Sequence, residues 1–260
     1  MRYLQYDVPD KVAYLLPFSD LHIGDKHFNR SSFNGYVDWV KETPNCRVFL
    51  NGDIVNTATI VSKSNPFEQD APLTQQLEVA YDLLAPIKDK IIGCITGNHE
   101  ARIEQLCGYN PLIGLCQRLN IPYLGYSAVI GLRVGIGKKI RNTKINGDFI
   151  TYVLYFHHTT GGGGTPGGKV NRVEKLRGII TNADAYIGSH NHQIFAVPEI
   201  SQHYSSATHG IIQQRQMLIG TGSFLDWNDG YSERMQLQPV KLGCPKIRFD
   251  STKKDIHVSL

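Results

Sequence analysis

Five short apolar runs in this sequence each end in side chains that are able to bind a metal ion. Short apolar runs that are bounded by turn residues are typical of buried strands. In open α/β sheets, binding sites form beyond the carboxyl ends of the strands, so strands that run in the same direction would bring these side chains together. Val12–Phe18 is followed by Asp20 and His22, Arg47–Leu50 by Asp53, and Ile91–Ile95 by Asn98 and His99. Phe149–Phe156 is followed by His157 and His158, and Ala185–Gly188 by His190 and His192.

Helical patterns separate several of these runs. One apolar face of a helix would be formed by Leu73, Leu77, Ala80, Tyr81 and Leu84. Further helices are predicted at Pro111–Leu119 and around Val170–Ile180, and further strands at Ser127–Val134, Gln193–Val197, Gln216–Ile219 and Lys246–Phe249. This alternation predicts a layered α/β fold. A chain of 260 residues is within the range of one large α/β domain, so we predict a single domain over residues 1–260.

The composition excludes some classes of protein. The chain has 27 Lys and Arg residues against 23 Asp and Glu residues, and this net charge of +4 does not by itself indicate a nucleic-acid binder. Its five cysteines include no CxxC pair, which argues against a disulfide framework or a zinc ribbon and favours reduced thiols in the cytoplasm. No apolar run approaches the roughly 20 residues that a membrane span needs, so we expect no membrane partner.

The polar residues at the strand ends form a mixed set of oxygen and nitrogen ligands. Two carboxylates, an amide oxygen and several imidazoles suit manganese, iron, zinc or nickel better than a thiolate-preferring metal. The set is too large for one tetrahedral ion, whereas two ions about 3.5–4 Å apart that share a bridging carboxylate would use all of it. We therefore predict two divalent cations as cofactors, with Mn²⁺ favoured over iron, Zn²⁺ and Ni²⁺.

In their chain order, these motifs resemble those of the calcineurin-like metallophosphoesterases. The resemblance runs from about Asp20 to His192 and rests on the segments SDLHIG, NGDIVN and GNHE, the pair His157-His158, and SHNH. It implies an α/β/β/α sandwich of two mixed sheets flanked by helices. The tail segments GSFLDWNDGYSER and PVKLGCPKIRF also look like metallophosphoesterases carried by phages and prophages, which would place the protein in the cytoplasm of a host cell.

The resemblance also implies a role for each site residue. Asp20, His22 and His192 would bind one metal ion, Asn98, His158 and His190 would bind the other, and Asp53 would bridge the two. His99 would not bind metal but would protonate the leaving-group oxygen as the general acid, and Glu100 would orient it. Arg102, three residues after His99, is a candidate clamp for the phosphate, and an ordinary arginine on a helix surface is the alternative.

Two motifs depart from the family pattern. The family has His-Gly where this chain has His157-His158-Thr159. We prefer His158 as the ligand because it lies one residue further beyond the strand, and His157 is the alternative. Ser189 replaces a glycine before His190, which changes the turn but removes no ligand.

Two further segments could approach a phosphate-bearing substrate. The glycine-rich residues 161–168 could do so through backbone N–H groups, but they lack the P-loop spacing, and a flexible lid or a linker is the preferred interpretation. A basic hairpin tip could follow a nucleic-acid backbone or be an ordinary solvated turn. Its cations are Lys138, Lys139, Arg141 and Lys144.

Together, the motifs predict hydrolysis of a phosphodiester or a phosphomonoester. Two cations would polarise the phosphoryl oxygens and supply a bridging hydroxide that attacks phosphorus. The partner would be a phosphoester substrate, with a nucleotide or a nucleic acid as candidates. Two alternatives stay open: a DNA or RNA nuclease of the repair-exonuclease type, and a non-catalytic scaffold that keeps the metal site. A scaffold of this kind typically lacks ligands, whereas every ligand position is filled here.

Overall fold

The structure of the chain, a computed structural model, describes residues 1–62, 65–136, 148–161, 164–228, 233, 236 and 238–260. The strands are β1 (Arg2–Val8), β2 (Val12–Phe18), β3 (Cys46–Asn51), β4 (Ile91–Ile95), β5 (Ser127–Ile136), β6 (Asp148–His157), β7 (Ala185–Gly188), β8 (Ile194–Ser205), β9 (Gly210–Thr221), β10 (Lys246–Asp250) and β11 (Ile256–Ser259). The helices are α1 (Arg30–Glu42), α2 (Leu73–Leu84), α3 (Asn98–Cys107), α4 (Pro111–Leu119) and α5 (Pro166–Glu174), with short 3₁₀ helices at Pro66–Glu68, Ala85–Lys90 and Lys175–Gly178.

Two mixed sheets pack face to face. The six-stranded sheet has the order β1-β5-β6-β7-β9-β8, the five-stranded sheet has the order β11-β10-β2-β3-β4, and each contains parallel and antiparallel pairs. Because alternate residues of a strand point to the same face, side chains from both sheets form one buried core between them. In that core the rings of Phe49 and Phe156, from opposite sheets, stack with 3.9 Å between their centroids.

Helices cover the outer face of each sheet. On the five-stranded sheet, α1, α2 and α4 bury apolar side chains such as Phe33, Leu84 and Leu112 in a second cluster. On the six-stranded sheet, α5 packs Val173 into a third cluster that includes Tyr155. Among the described residues, no helix has both the length and the apolar character that a membrane span requires. The layers are helix, sheet, sheet and helix, which confirms the predicted α/β/β/α architecture.

Parallel pairing brings the ends of the predicted strands to one edge of the sandwich. Strands β2, β3 and β4 are parallel neighbours in one sheet. Strands β6 and β7 are parallel neighbours in the other. The chain leaves all five strands just before a predicted site residue, so the two sheets contribute candidate ligands from the two sides of the core.

Several elements differ from the prediction. Helix α5 starts at Pro166, so the last part of the glycine-rich segment is helical, because Thr165 caps the helix and proline is favoured at its first position. Strand β1 and helices α1 and α3 have no counterpart in the prediction. Strands β8 and β9 are 12 residues long and form a longer ribbon than the predicted segments.

Some predicted features lie outside the described residues. They are the basic hairpin tip with Lys138, Lys139, Arg141 and Lys144, the central glycines 162 and 163 of the glycine-rich segment, and residues 229–232 and 234 of the tail segment.

Candidate metal centre

The candidate ligands follow the strand ends in an unusual backbone conformation. Asp20, His22, Asp53, His190 and His192 have positive φ angles, between 48° and 73°. This left-handed region is uncommon for residues other than glycine, and such residues cluster at functional sites where the surrounding structure holds them. The tight turns allow three different loops to direct their side chains to one place.

Glycines allow these loops to approach closely. Gly52 has a φ angle of 84°, and a Cβ atom there would lie 2.6 Å from the backbone nitrogen of Gly97 and 2.7 Å from Nδ1 of His158. A Cβ atom at Gly97 would overlap with the Asp53 carboxylate. A larger residue at either position would displace a neighbour, so the glycines of the NGD and GNHE segments are needed to bring these loops together.

The possible ligand atoms form three overlapping groups, and within each group the atoms lie within 4.8 Å of one another. The first group contains Asp20, His22 and His192, which is the set predicted for one metal ion. The second contains Asp20, Asp53, His158 and His190. Asn98 adjoins the second group, since its Oδ1 lies 2.9 Å from Nε2 of His158. The structure thus brings together all the residues that were predicted as ligands.

Several buried atoms of this site make no hydrogen bond to any described residue. They include both ring nitrogens of His22 and Nδ1 of His190. Oδ2 of Asp53 and Oδ1 of Asp20 also make no hydrogen bond, although they lie 3.1 Å from Nε2 of His158 and 3.2 Å from Nε2 of His192, respectively. The two aspartates are fully buried, and His22 is 3% exposed. Buried polar atoms without partners are costly and rare in folded proteins. Because these oxygen and nitrogen atoms converge on one place, divalent cations fit them as partners.

The ring of His158 is held by two groups outside the predicted ligand set. Its Nδ1 lies 2.9 Å from the carbonyl oxygen of Asn51 and 2.7 Å from Oγ of Ser189. A carbonyl oxygen can only accept, so Nδ1 carries a proton and donates it. The other ring nitrogen, Nε2, lies 3.1 Å from Oδ2 of Asp53. A hydrogen bond that fixes the tautomer in this way is typical of metal-binding histidines.

Opposite charges set the protonation states of the buried acids and of His158. Burial opposes the charged form of Asp53, but attraction to His158 and His99 outweighs it and keeps the pKa of Asp53 well below its usual value. Burial also opposes ionisation of Asp20, yet His192 lowers the pKa of Asp20 to about 2. Attraction to Asp53 overcomes burial at His158 and raises its pKa to about 10. A proton on Nε2 of His158 therefore balances the buried carboxylates, and a divalent cation would have to displace it.

His99, at the start of α3, forms the third group of possible ligands with His22 and Asp53. The centroid of its ring is 4.4 Å from that of His22, and its backbone nitrogen donates to Oδ1 of Asp53 at 2.9 Å. Its Nδ1 donates to the carbonyl oxygen of Asn56, which leaves Nε2 as the nitrogen that can exchange a proton with a substrate. Burial lowers the pKa of His99, attraction to Asp53 opposes this shift, and the nearby charge of Arg102 adds to it.

Glu100 has a different role from the predicted one. Its fully buried carboxylate accepts hydrogen bonds of 2.7–3.1 Å from the backbone nitrogens of Asp53, Ile54, Val55 and Gly97. Burial and repulsion from Asp53 raise the pKa of Glu100 to about 7. The carbonyl of Asn56, not the carboxylate of Glu100, holds the His99 ring. Glu100 instead fastens the Asp53 loop to the first turn of α3.

Arg102 and His157 lie at the margin of the site. Arg102 is partly buried in the first turns of α3, close enough to His99 for its charge to lower the pKa of that histidine. His157 is the last residue of β6, and its ring centroid is 6.3 Å from that of Tyr155 in the cluster under α5. Within the described residues, His157 belongs to none of the groups of possible metal ligands.

Three residues that support the site were not singled out for that role from the sequence. Asn51 and Asn56 act through backbone carbonyl oxygens, which carry no signal in the identity of the side chain. Ser189 had a signal, because it stands where the family has glycine. Its Oγ donates to the carbonyl of Asn51 at 2.7 Å and contacts His158, so the replacement affects a predicted ligand as well as the turn.

A cavity of about 430 Å³ lies elsewhere in the molecule, lined by residues that include Tyr152, Asp184 and Lys254. Asp184 precedes β7 whereas His190 follows it, so the cavity and the ligand groups lie at opposite ends of that strand. The ligand groups are at the edge of the sandwich, where Asn98 and His190 are partly exposed.

A comparison with known proteins gives a family match. A family model described as calcineurin-like phosphoesterase matches residues 19–194, which include all the candidate ligands. No curated protein matches the chain significantly. Among solved structures, NAD nucleotidase from Haemophilus influenzae matches over 96% of this chain and 49% of its own, with 10% sequence identity and a TM-score of 0.43. The chain thus spans about half the length of that protein.

Proposed function

We propose that this chain, which belongs to the calcineurin-like phosphoesterase family, hydrolyses a phosphodiester with the help of two divalent cations. Family membership makes it a metal-dependent phosphoester hydrolase. The observation that carries the proposal is the convergence of buried oxygen and nitrogen atoms that have no hydrogen-bond partner among the described residues. Divalent cations would supply those partners and, with them, the chemistry of phosphoester hydrolysis.

Each cation would be held by one group of ligands. Asp20, His22 and His192 would bind one, Asn98, His158 and His190 would bind the other, and Asp53 would bridge them. A bridging carboxylate offsets the repulsion between two cations. Bound cations would polarise the phosphoryl oxygens and make hydroxide available near neutral pH. The donor set favours Mn²⁺, with iron, Zn²⁺ and Ni²⁺ as alternatives.

His99 would protonate the oxygen that leaves phosphorus. Its Nδ1 is committed to the carbonyl of Asn56, so Nε2 would hold the proton that is transferred. Burial lowers the pKa of His99 in the chain alone, and the negative charge of a bound phosphoester would raise it again. Protonation of a leaving alkoxide typically accelerates such a step by about 10²–10⁴-fold. Arg102, next to His99, would contact the phosphate.

The exposure of the site supports a diester over a monoester. The ligand groups lie at the edge of the sandwich, and Asn98, His99, His190 and His192 are only partly buried. A phosphodiester has two organic groups on phosphorus, and an open edge leaves room for both of them. An enclosed pocket would instead select the smaller terminal phosphate of a monoester.

Hydrolysis of three substrates by the Mn²⁺-loaded protein tests the proposal. They are bis-p-nitrophenyl phosphate, p-nitrophenyl phosphate and single-stranded DNA. We expect kcat/KM to be highest for the bis-p-nitrophenyl diester. Asp53→Asn is the control for contaminating phosphatases, because it should lose nearly all activity together with at least one metal ion per chain.

Each other outcome selects an alternative. Faster hydrolysis of p-nitrophenyl phosphate would identify a monoesterase, and efficient cleavage of DNA would identify a nuclease. Two bound metal ions per chain without turnover of any of the three substrates would support the scaffold and overturn the proposal.

A further inference from the structure

Three large apolar side chains are exposed on the loop between β3 and α2. Ile60 is 94% exposed, Val61 is 65% exposed and Phe67 is 87% exposed. Among the described residues, the three apolar clusters of the core include none of them. A single exposed apolar residue needs no explanation, but a group of them on one surface is typical of a binding site. We call these three residues the apolar platform.

The two arms of this loop are hydrogen-bonded to each other. The backbone nitrogen of Ala58 donates to Oε1 of Gln69 at 2.8 Å, and Nε2 of Gln69 donates to the carbonyl of Ala58 at 2.9 Å. Ile60 lies two residues after Ala58, and Phe67 lies two residues before Gln69. Because the arms are paired at this point, they carry their apolar side chains on neighbouring stretches of chain. The apolar platform is therefore one surface.

Hydrogen bonds also join the second arm of the loop to the segment that follows His22. The backbone nitrogen of Asp25 donates to the carbonyl of His22 at 2.9 Å and closes a turn. In the next residue, the backbone nitrogen of Lys26 donates to the carbonyl of Glu68 at 3.3 Å. Phe67 directly precedes Glu68, so only two backbone hydrogen bonds separate its segment from a candidate metal ligand.

The first arm of the loop contacts the proposed proton donor. Oγ1 of Thr57, the residue before Ala58, donates to the carbonyl of His99 at 2.7 Å. The rings of His99 and His22 are themselves adjacent, with 4.4 Å between their centroids. The apolar platform thus adjoins the metal centre on the side of these two histidines, and a group bound on it would lie next to the phosphoester.

We propose that the apolar platform binds a nucleobase of the substrate, with Phe67 stacked on the base. Every base has a flat face on which an aromatic side chain can stack. The neighbouring carboxylates of Glu68 and Asp70 would repel a second phosphate but not an uncharged base. The preferred substrates would therefore be phosphodiesters with a nucleobase close to the reacting phosphorus. This inference rests on the proposed function for the reaction itself, while recognition of the base can be measured separately.

Competition between two diesters tests recognition of the base. The methyl ester of deoxyadenosine 5′-phosphate and its abasic analogue, in which hydrogen replaces the base, are measured as inhibitors of bis-p-nitrophenyl phosphate hydrolysis. The wild-type protein should bind the form with the base about tenfold more tightly, which corresponds to about 1.4 kcal/mol. Phe67→Ala should lose this preference without weaker inhibition by the abasic analogue, whereas Phe67→Trp should keep it because an indole also stacks.

Tyr204→Ala is the matched control. Tyr204 is an exposed aromatic residue near the far end of β8, a strand that begins beside the metal-centre edge, so its removal should leave the preference for the base unchanged. Because Phe67 and Tyr204 are both exposed, each variant should melt at the wild-type temperature. Equal inhibition by both diesters in the wild-type protein would overturn the proposal. An equal loss for both diesters in Phe67→Ala would also overturn it, since Phe67 would then only shape the loop.

If bis-p-nitrophenyl phosphate is not hydrolysed, the proposed function fails and recognition of the base is tested by calorimetry. The two diesters are then titrated into the Mn²⁺-loaded protein. Tighter binding of the form with the base that is lost in Phe67→Ala would support base recognition on its own, and equal binding of both forms would overturn it. Sedimentation covers the alternative occupant, a second copy of the chain. A dimer without preference for the base that Phe67→Ala dissociates would identify the platform as a contact between copies and overturn the proposal.

Discussion

His99 and His158 each donate a proton from Nδ1 to a backbone carbonyl oxygen, but their Nε2 atoms face different surroundings. Nε2 of His158 lies 3.1 Å from Oδ2 of Asp53 and 2.9 Å from Oδ1 of Asn98, so it is surrounded by possible metal ligands. His99 belongs to α3, and its charged neighbours are Asp53, which raises its pKa, and Arg102, which lowers it. In the proposed reaction, His158 would bind metal and His99 would transfer the proton.

Substitution of the paired histidines tests which of them binds metal. His158→Ala should lose the ion shared with Asn98 and His190, so the metal content should fall from two ions per chain to one. His157→Ala should keep both ions and cost about 1 kcal/mol of stability, a typical value for a point mutation. Elemental analysis of both variants and of the wild type decides the matter. If His157→Ala strips the metal and His158→Ala does not, the ligand assignment is off by one residue.

His99→Gln tests the proton donor. The variant should fold and keep both metal ions, yet its rate loss should depend on the leaving group. An alkoxide from a nucleotide diester is a strong base that needs protonation, whereas nitrophenolate is a weak base that can leave unaided. The loss should differ between the two substrates by at least roughly tenfold. Equal losses would show that His99 positions the substrate instead of protonating it.

At the scale of elements, the junction between β4 and α3 sets the geometry of the centre. Gly97 precedes the helix, Asn98 and His99 occupy its first turn, and Glu100 binds four backbone nitrogens from this helix and from the Asp53 loop. The GNHE segment thus contains a turn, two functional side chains and the anchor that fixes them to the loop after β3.

Gly97→Ala should disrupt this junction. Its methyl group would overlap with the Asp53 carboxylate, so we expect a loss of about 1–3 kcal/mol, as for other overpacked sites, together with lower metal content. Gly114→Ala in α4 is the matched control. Its methyl group would have only the hydroxyl of Tyr109 nearby, at 3.5 Å, and should stabilise the helix by about 0.5–1 kcal/mol. Thermal unfolding and metal analysis of both variants provide the comparison. Full stability and two ions in Gly97→Ala would contradict the geometry.

At the scale of the whole molecule, metal binding and protonation are linked. The pKa of His158 is raised from 6.5 to about 10 in the folded chain, mainly by Asp53, which overcomes burial. In the protein without metal, the ion pair between protonated His158 and Asp53 stabilises the fold fully below pH 6.5. Its contribution to the free energy of unfolding is lost as the pH rises through about 10. A metal ion competes with the same proton, so acidification should weaken metal binding.

This competition predicts proton release on metal binding. Calorimetric titration of Mn²⁺ near neutral pH, in buffers with different ionisation enthalpies, should show release of about one proton per chain from His158. The rise in melting temperature on metal binding should increase with pH between 6.5 and about 10. In His158→Ala the released proton should be missing. Metal binding without proton release would mean that His158 is already neutral in the folded chain.

The residue types and their order along the chain predicted a layered α/β fold with polar side chains at the strand ends, and the resemblance to the calcineurin-like family added the sandwich and the ligand roles. The reason is local: each ligand motif follows an apolar strand within a few residues, and parallel strands end at the same edge of a sheet. The partners of the ligands were not predictable in this way. Glu100 was assigned to His99, the next residue, because sequence neighbours are visible in a motif, whereas its four backbone partners belong mainly to another loop.

Only the tertiary structure decided which distant segments of the chain contact one another through backbone atoms or through burial. His158 meets the carbonyl of Asn51 across 107 positions in sequence, and Ser189 meets Asn51 across 138. The sequence by itself determined which side chains stand at the strand ends, since that depends on local order. The packing of two sheets determined what each of these side chains can do, because protonation and metal affinity depend on neighbours that no local pattern encodes.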